Sequence, residues 1–229
     1  MNLTTLLLRA RPSGQPVPRP VPVSASRRAF TLIEMLVVIG IIGLLAAMIV
    51  PAMSSAIKRR DISRAEAELR KLDLLINNYK DKWGSYPPDN AAGAVTNALY
   101  YELSGTTYAA PPISTFTTLD GLEMISTNTA NVYFGSPGFL NSALGAVQAK
   151  NYLPELKPDH SALISTAPAV RVLTAPGKPA PGNTIIVNGT PVNPWRYVSS
   201  NPIHNPGRFD LWAEIEIGGK TNIIGNWKN

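Results

Sequence analysis

The stretch "RRAFTLIEMLVVIGIIGLLAAMIVP", residues 27 to 51, decides how the rest of the chain is read. Residues 30 to 50 are apolar apart from Thr31 and Glu34, and at about 1.5 Å per residue such a run measures roughly 31 Å, close to the hydrocarbon thickness of a bilayer. The spacing predicts a single membrane-crossing helix, with Pro51 removing a backbone donor at its far end. Glu34 does not fit a plain anchor. An unpaired carboxylate in hydrocarbon costs several kcal/mol and normally has a partner, so the sequence calls for one.

The residues before the run have a different composition. Pro12, Pro16, Pro18, Pro20 and Pro22 alternate with scattered arginines, a pattern that cannot form a packed core and is read as a leader over residues 1–29. That leader also accounts for the charge. The chain carries a formal +6, yet Arg9, Arg11, Arg19, Arg27 and Arg28 all precede Phe30 and no acid does, leaving 16 basic against 15 acidic residues beyond it. A basic face for phosphates is therefore not expected, and nucleic acid is not an expected partner. Cysteine is absent, which excludes disulfides, thiolate metal sites and Cys nucleophiles.

Beyond the run, Ile62, Ala65, Leu69, Leu72, Ile76, Tyr79 and Trp83 recur alternately three and four residues apart, which predicts an amphipathic helix over 52–83 continuing from the span of 30–51. Gly84, Pro87 and Pro88 should end it. Residues 84–229 are rich in Pro, Gly, Asn and Thr and read as a globular domain of strands and long loops. "TIIV" (184–187) precedes Asn188-Gly189, the favoured dipeptide of a tight hairpin. "RFDLWAEIEI" (208–217) places Phe209, Leu211, Ala213, Ile215 and Ile217 on one face, and "GGK" (218–220) should turn that strand into "TNIIGNW". The fold class expected is α+β, a long N-terminal helix packed on a small antiparallel sheet.

A secretory signal peptide cut after "SSA" (54–56) is the first alternative for the apolar run. Its length, the internal Glu34 and the amphipathic helix that follows argue against it. With that set aside, "RRAFTLIEMLVVIGIIGLLAAMIVPAM" resembles the processing and methylation signal of type IV pilins and type II secretion pseudopilins: basic residues, a small residue, Phe, then Thr-Leu-Ile-Glu and an apolar run ending at Pro. Further on, "YKDKWGSYPPDN" (79–90) and "NPWRYVSSNPIHNPGRFDLWAEIEIGGKTNIIGNW" (193–227) are similar to parts of the G-type major pseudopilin, whereas residues 91–192 resemble no family.

The resemblance implies a pilin-like fold, cleavage by a prepilin peptidase between Ala29 and Phe30, and N-methylation of Phe30. The family usually has Gly before the cut, where Ala29 stands here. It implies that Glu34 meets the positive N-terminus of a neighbouring Phe30 during assembly, so that two charges costly in an apolar bundle neutralise one another. Gly40 and Gly43 are read either as points of close helix approach or as ordinary membrane-helix glycines.

The implied role is a structural subunit of a type II secretion pseudopilus, polymerising with itself and other pseudopilins on an inner-membrane assembly platform driven by a separate ATPase. A pilus subunit for adhesion, motility or DNA uptake is the alternative. The topology implied is a single inner-membrane pass, with the leader cytoplasmic and residues beyond Pro51 periplasmic. The charge bias alone is weak, because Lys58, Arg59, Arg60 and Arg64 follow the span.

The family's calcium loop mostly fails to match. Ile217-Gly218 stands where an Asp-Gly belongs, and Thr221 and Ile223 stand where acids belong. Asp210, Glu214 and Glu216 remain and are expected on a solvated strand face, so no calcium and no cofactor is expected. Nor does an enzyme emerge. "GGKT" lacks the glycine that a phosphate-binding loop needs five residues before Gly219, and His160 and His204 are expected in surface loops.

Overall fold

The computed structural model describes residues 30–144, 148–182 and 184–227, without the side chains of 49–56. The chain divides into two units between Met48 and Ile49. Helix α1 runs Leu32–Trp83 and includes Pro51. It stops where the sequence places the stop: Gly84 adopts φ +77°, a conformation that favours glycine, and its N–H donates to the Lys80 carbonyl at 2.7 Å.

In the first unit every described residue from 30 to 48 is exposed, including Leu32, Ile33, Ile39 and Leu44. Among the described residues no helix is long and apolar enough to cross a membrane. Ile49 and Val50, the last residues of the apolar run, lie outside the described side chains.

The second unit is built on the stripe of α1. Ala65, Leu69, Leu72, Ile76 and Tyr79 are buried, and Ile62 and Trp83 at its two ends are half-buried. The chain then forms α2 (Leu99–Ser104), β1 (Thr106–Ala109), β2 (Thr115–Thr118), β3 (Met124–Ser126), α3 (Thr127–Phe134) and β4 (Ser142–Ala143). There follow β5 (Ser161–Thr166), β6 (Ala169–Leu173), β7 (Ile185–Val187), β8 (Thr190–Val192), β9 (Arg196–Val198), β10 (Asp210–Ile217) and β11 (Lys220–Gly225).

The single sheet expected is in fact several small ones. Strands β3-β2-β1-β4 form one sheet, in which β4 lies parallel to β1 and the other pairs are antiparallel. Strands β11-β10-β9 form an antiparallel second, and β5-β6 and β7-β8 are separate hairpins. The β7–β8 turn is Asn188-Gly189, both at positive φ, and the β10–β11 turn is Gly218-Gly219 with Ile217 opposite Lys220. Phe209, Leu211, Ala213 and Ile215 are buried, as the alternation predicts. Together with Trp195 and Tyr197 near and on β9, Val170 and Val172 on β6, and Leu99, Tyr101 and Leu103 on α2, most of these side chains close one core over the α1 stripe.

One buried carboxylate ties these elements together. Glu102 of α2 accepts the Tyr79 hydroxyl of α1 at 2.7 Å and the backbone N–H groups of Leu140 and Asn141 at 2.8 and 2.9 Å. Asn141 in turn donates from its amide to the Glu102 and Lys150 carbonyls at 2.6 and 2.7 Å, and accepts the Lys150 N–H at 2.9 Å. Burial pushes the Glu102 carboxyl up, against the pull of these three donors.

The two stretches that resemble the G-type pseudopilin meet in this unit. Asp89 accepts the N–H groups of Ser199 and Ser200, each at 3.0 Å, while the Pro87 carbonyl accepts the Tyr197 hydroxyl at 2.9 Å. The rings of Tyr86 and Phe209 pack edge to face at 5.0 Å.

Truncation on the two faces of α1 should differ sharply. Ile76→Ala should lower the unfolding free energy by about 2–5 kcal/mol, whereas Leu74→Ala, at an exposed position, should change it by no more than about 0.5 kcal/mol. Urea denaturation of the full chain in detergent micelles, followed by tryptophan fluorescence, checks this. Equal losses would mean that the buried face is misassigned.

Candidate functional site

The chemistry predicted from sequence concentrates at the start of α1. Ala29 and the leader it ends lie outside the described residues, and Phe30 is exposed. Glu34 stands in the first turn of α1, where its Oε2 accepts the Thr31 backbone N–H at 2.8 Å and the Thr31 hydroxyl at 2.8 Å. The Glu34 N–H donates back to Thr31 Oγ1 at 3.2 Å. This reciprocal pair is a capping box, in which Thr31 and Glu34 satisfy backbone donors that a helix N-terminus leaves without partners. The Thr-x-x-Glu spacing of residues 31–34 is the sequence signal of such a box. Among the described residues only Oε2 is engaged; Oε1 carries no bond.

Residues 24–50 match the family model described as the prokaryotic N-terminal methylation motif. The chain carries that motif. It is 36% identical over 69 residues to the fimbrial protein EcpC of Eikenella corrodens, covering 30% of this chain and 45% of that protein. It is 32% identical over 72 residues to the type IV major pilin protein PilE of Neisseria gonorrhoeae, covering 31% of this chain and 43% of that protein. The chain thus spans less than half the length of the curated relatives it matches. No solved structure matches it. These findings support a prepilin-type N-terminus and a likeness to pilins, without singling out the G-type pseudopilin.

With the methylation motif located, the remaining sequence candidates fall in the second unit, and two are corrected there. His160 is not a surface loop residue. It closes a 3₁₀ turn (Pro158–His160) and is buried, with Nδ1 3.1 Å from Glu68 Oε1 of α1 but outside hydrogen-bond geometry. Asp210 is not on a solvated face either. Its side chain is 4% exposed and accepts the backbone N–H groups of Ile203, His204 and Asn205 at 2.8, 2.8 and 2.9 Å. The strand alternation placed Asp210 opposite the apolar face correctly. What it could not show is that loop 203–205 folds over that face and needs an acceptor for three N–H groups.

The same loop is closed from the C-terminal side. Asn226 accepts the Leu211 N–H at 3.0 Å and donates to the Phe209 carbonyl at 3.0 Å, and the Trp227 ring stacks on His204 at 3.8 Å. Glu214 and Glu216 pair with Arg196 and Lys178. The three carboxylates left over from the calcium comparison are therefore engaged with protein donors. Among the described residues no group of three or more His, Cys, Asp or Glu is placed to hold a metal ion.

Burial pushes the Asp210 carboxyl up, but the hydrogen bonds from His204, Ile203 and Asn205 outweigh it and hold the group below the usual carboxylate range. Its stabilising effect is therefore complete above the unfolded Asp value of about 3.9 and is lost as pH falls through the lower folded value. Asp210→Ala should destabilise the domain by about 1.5–3 kcal/mol near neutral pH, the worth of hydrogen bonds to a charged group. Melts of both proteins on acidification below about pH 4 should converge. A gap that does not shrink would exclude the carboxylate charge as the cause.

Proposed function

We propose that this chain is a pilin-like structural subunit, cut by a prepilin peptidase between Ala29 and Phe30 and N-methylated on Phe30. The observation that carries this reading is the match of residues 24–50 to the methylation motif, a stretch that includes Ala29, Phe30 and Glu34. Residues 30–50 cross the inner membrane once, and the domain beyond Pro51 is periplasmic. The mature chain polymerises with itself and other pseudopilins into a type II secretion pseudopilus, on an inner-membrane platform whose separate ATPase supplies the energy. The role is mechanical and not enzymatic. The similarity of 79–90 and 193–227 to the G-type major pseudopilin supports the secretion reading. A type IV pilus subunit is the second reading, favoured by the names of both relatives, a fimbrial protein and a type IV major pilin.

Assembly gives Glu34 a second task beside its cap. In a bundle of apolar helices the amine of a neighbouring Phe30 needs a counter-charge, and the Glu34 carboxylate supplies one through its second oxygen. Intact-mass measurement of the membrane form should give a chain beginning at N-methyl-Phe30. A start at Met1 or after Ala56 would remove the basis of the reading. Deleting the gene should impair secretion while leaving motility intact, and the opposite result would move the protein to a pilus.

Glu34→Ala should leave cleavage and membrane insertion unchanged and reduce crosslinking between subunits, since losing one member of a buried pair costs about 3–5 kcal/mol. Thr31→Ala separates the two tasks. It removes the hydroxyl cap, a loss of about 1 kcal/mol, while sparing the carboxylate, so its crosslinking should stay near that of wild type. If Glu34→Ala crosslinks normally, the carboxylate does not register subunits.

A further inference from the structure

The base-rich segment after the apolar run is not explained by the proposed assembly. Lys58, Arg59, Arg60 and Arg64 stand on the side of the span where basic residues are disfavoured. The structure divides them into two groups. Arg60 lies 3.1 Å from Asp61, and Arg64 lies 3.6 Å from Asp159. Lys178, which shares the same surface, lies 2.9 Å from Glu216. Lys58 and Arg59 are exposed and have no acidic partner among the described residues.

Lys58 is exposed beside the β10–β11 turn. Its ammonium lies over the β10–β11 turn, where a Cβ on Gly218 would stand 2.9 Å from Nζ. A shallow cavity of about 370 Å³ opens there, lined by Ile57, Lys58, Asp61, Lys178, Glu216 and Gly218. With Asp61 and Glu216 already paired, the surplus charge on this surface is positive. Ile57 beside it is 46% exposed. An exposed aliphatic next to uncompensated bases is the composition of a surface that rests on anionic lipid.

We infer that Lys58 and Arg59 bind the phosphate of anionic phospholipid headgroups in the outer leaflet of the inner membrane, with Ile57 directed to the headgroup boundary. The inference rests on the single-pass reading above. Lys58 follows the end of the apolar run by eight residues, about 12 Å of helix. Lys and Arg side chains are long enough to reach back toward the headgroups from that height. Such a contact seats the domain at the membrane surface before assembly and must be released as the subunit leaves the bilayer.

The test uses the full chain. Carbonate extraction of membranes first establishes whether the chain is integrally inserted; release by carbonate would overturn the membrane reading itself. Native mass spectrometry of the detergent-purified chain, titrated with phosphatidylglycerol or phosphatidylcholine, then reads headgroup preference. Wild type should retain phosphatidylglycerol over phosphatidylcholine. The double variant Lys58→Gln/Arg59→Gln should bind phosphatidylglycerol more weakly by roughly fivefold for each base removed. Lys71→Gln, further along α1, should match wild type. An inserted chain with no headgroup preference, or an unchanged double variant, would overturn the inference. So would displacement of the lipid by inorganic phosphate at equal concentration, which would make this a site for free anions.

Discussion

The Glu102 carboxylate is the constraint around which the globular unit is arranged. It sits on a helix of six residues, too short to hold itself together, and reaches α1 through the Tyr79 hydroxyl and the 140s segment through two backbone amides. A carboxylate in such a place is costly unless every lone pair is used. Its three donors come from two separate parts of the chain, so no one part can shift without leaving a buried polar group unsatisfied. The hydrophobic stripe of α1 supplies most of the burial, but it is non-directional. The Glu102 network fixes which way α2 and the following strands sit on it.

What the sequence made legible was what depends on period and local turn chemistry. The 3–4 spacing from Ile62 to Trp83 identified the buried face of α1 residue by residue, and Asn188-Gly189 and Gly218-Gly219 marked hairpins because each turn needs positive φ. What stayed hidden depends on partners distant in the chain. Helix α2, "LYYELS", has no period of its own to detect, and every residue in it is buried. His160 and Asp210 are polar residues in or beside Pro-rich loops, and only the folded chain shows that Glu68 of α1 and the amides of 203–205 face them. Of the candidate site, Glu34 was legible as an anomaly, because a charge in an apolar run is conspicuous. Its local partner Thr31 is less conspicuous, because the capping box and the anomaly share one residue.

The Thr31 cap gives the assembly role proposed for Glu34 a physical logic. A helix beginning inside an apolar environment exposes backbone N–H groups that water cannot reach, and a carboxylate three residues in satisfies one of them within the same chain. The Thr31 N–H and hydroxyl thereby give the carboxylate two donors within its own chain. In the proposed assembly an incoming amine would meet a carboxylate already held in place, with little side-chain freedom left to lose on pairing.

The contact of Asp89 with Ser199 and Ser200 joins positions about 110 residues apart. Together with Tyr86 against Phe209, it closes the intervening chain into a loop with one end just beyond α1 and the other between β9 and β10. The entropy of closing a loop rises only with the logarithm of its length, about 0.6 kcal/mol per doubling. Insertions and deletions between those anchors are therefore tolerated, as long as Glu102, Tyr101, Val170 and Val172 keep their places in the core. Evolutionary change in length should gather at the β7–β8 hairpin and the turns of the β1–β3 sheet, while the frame that closes the loop holds constant. A chain built this way can present a different outer surface on the same frame without altering the helix that carries it.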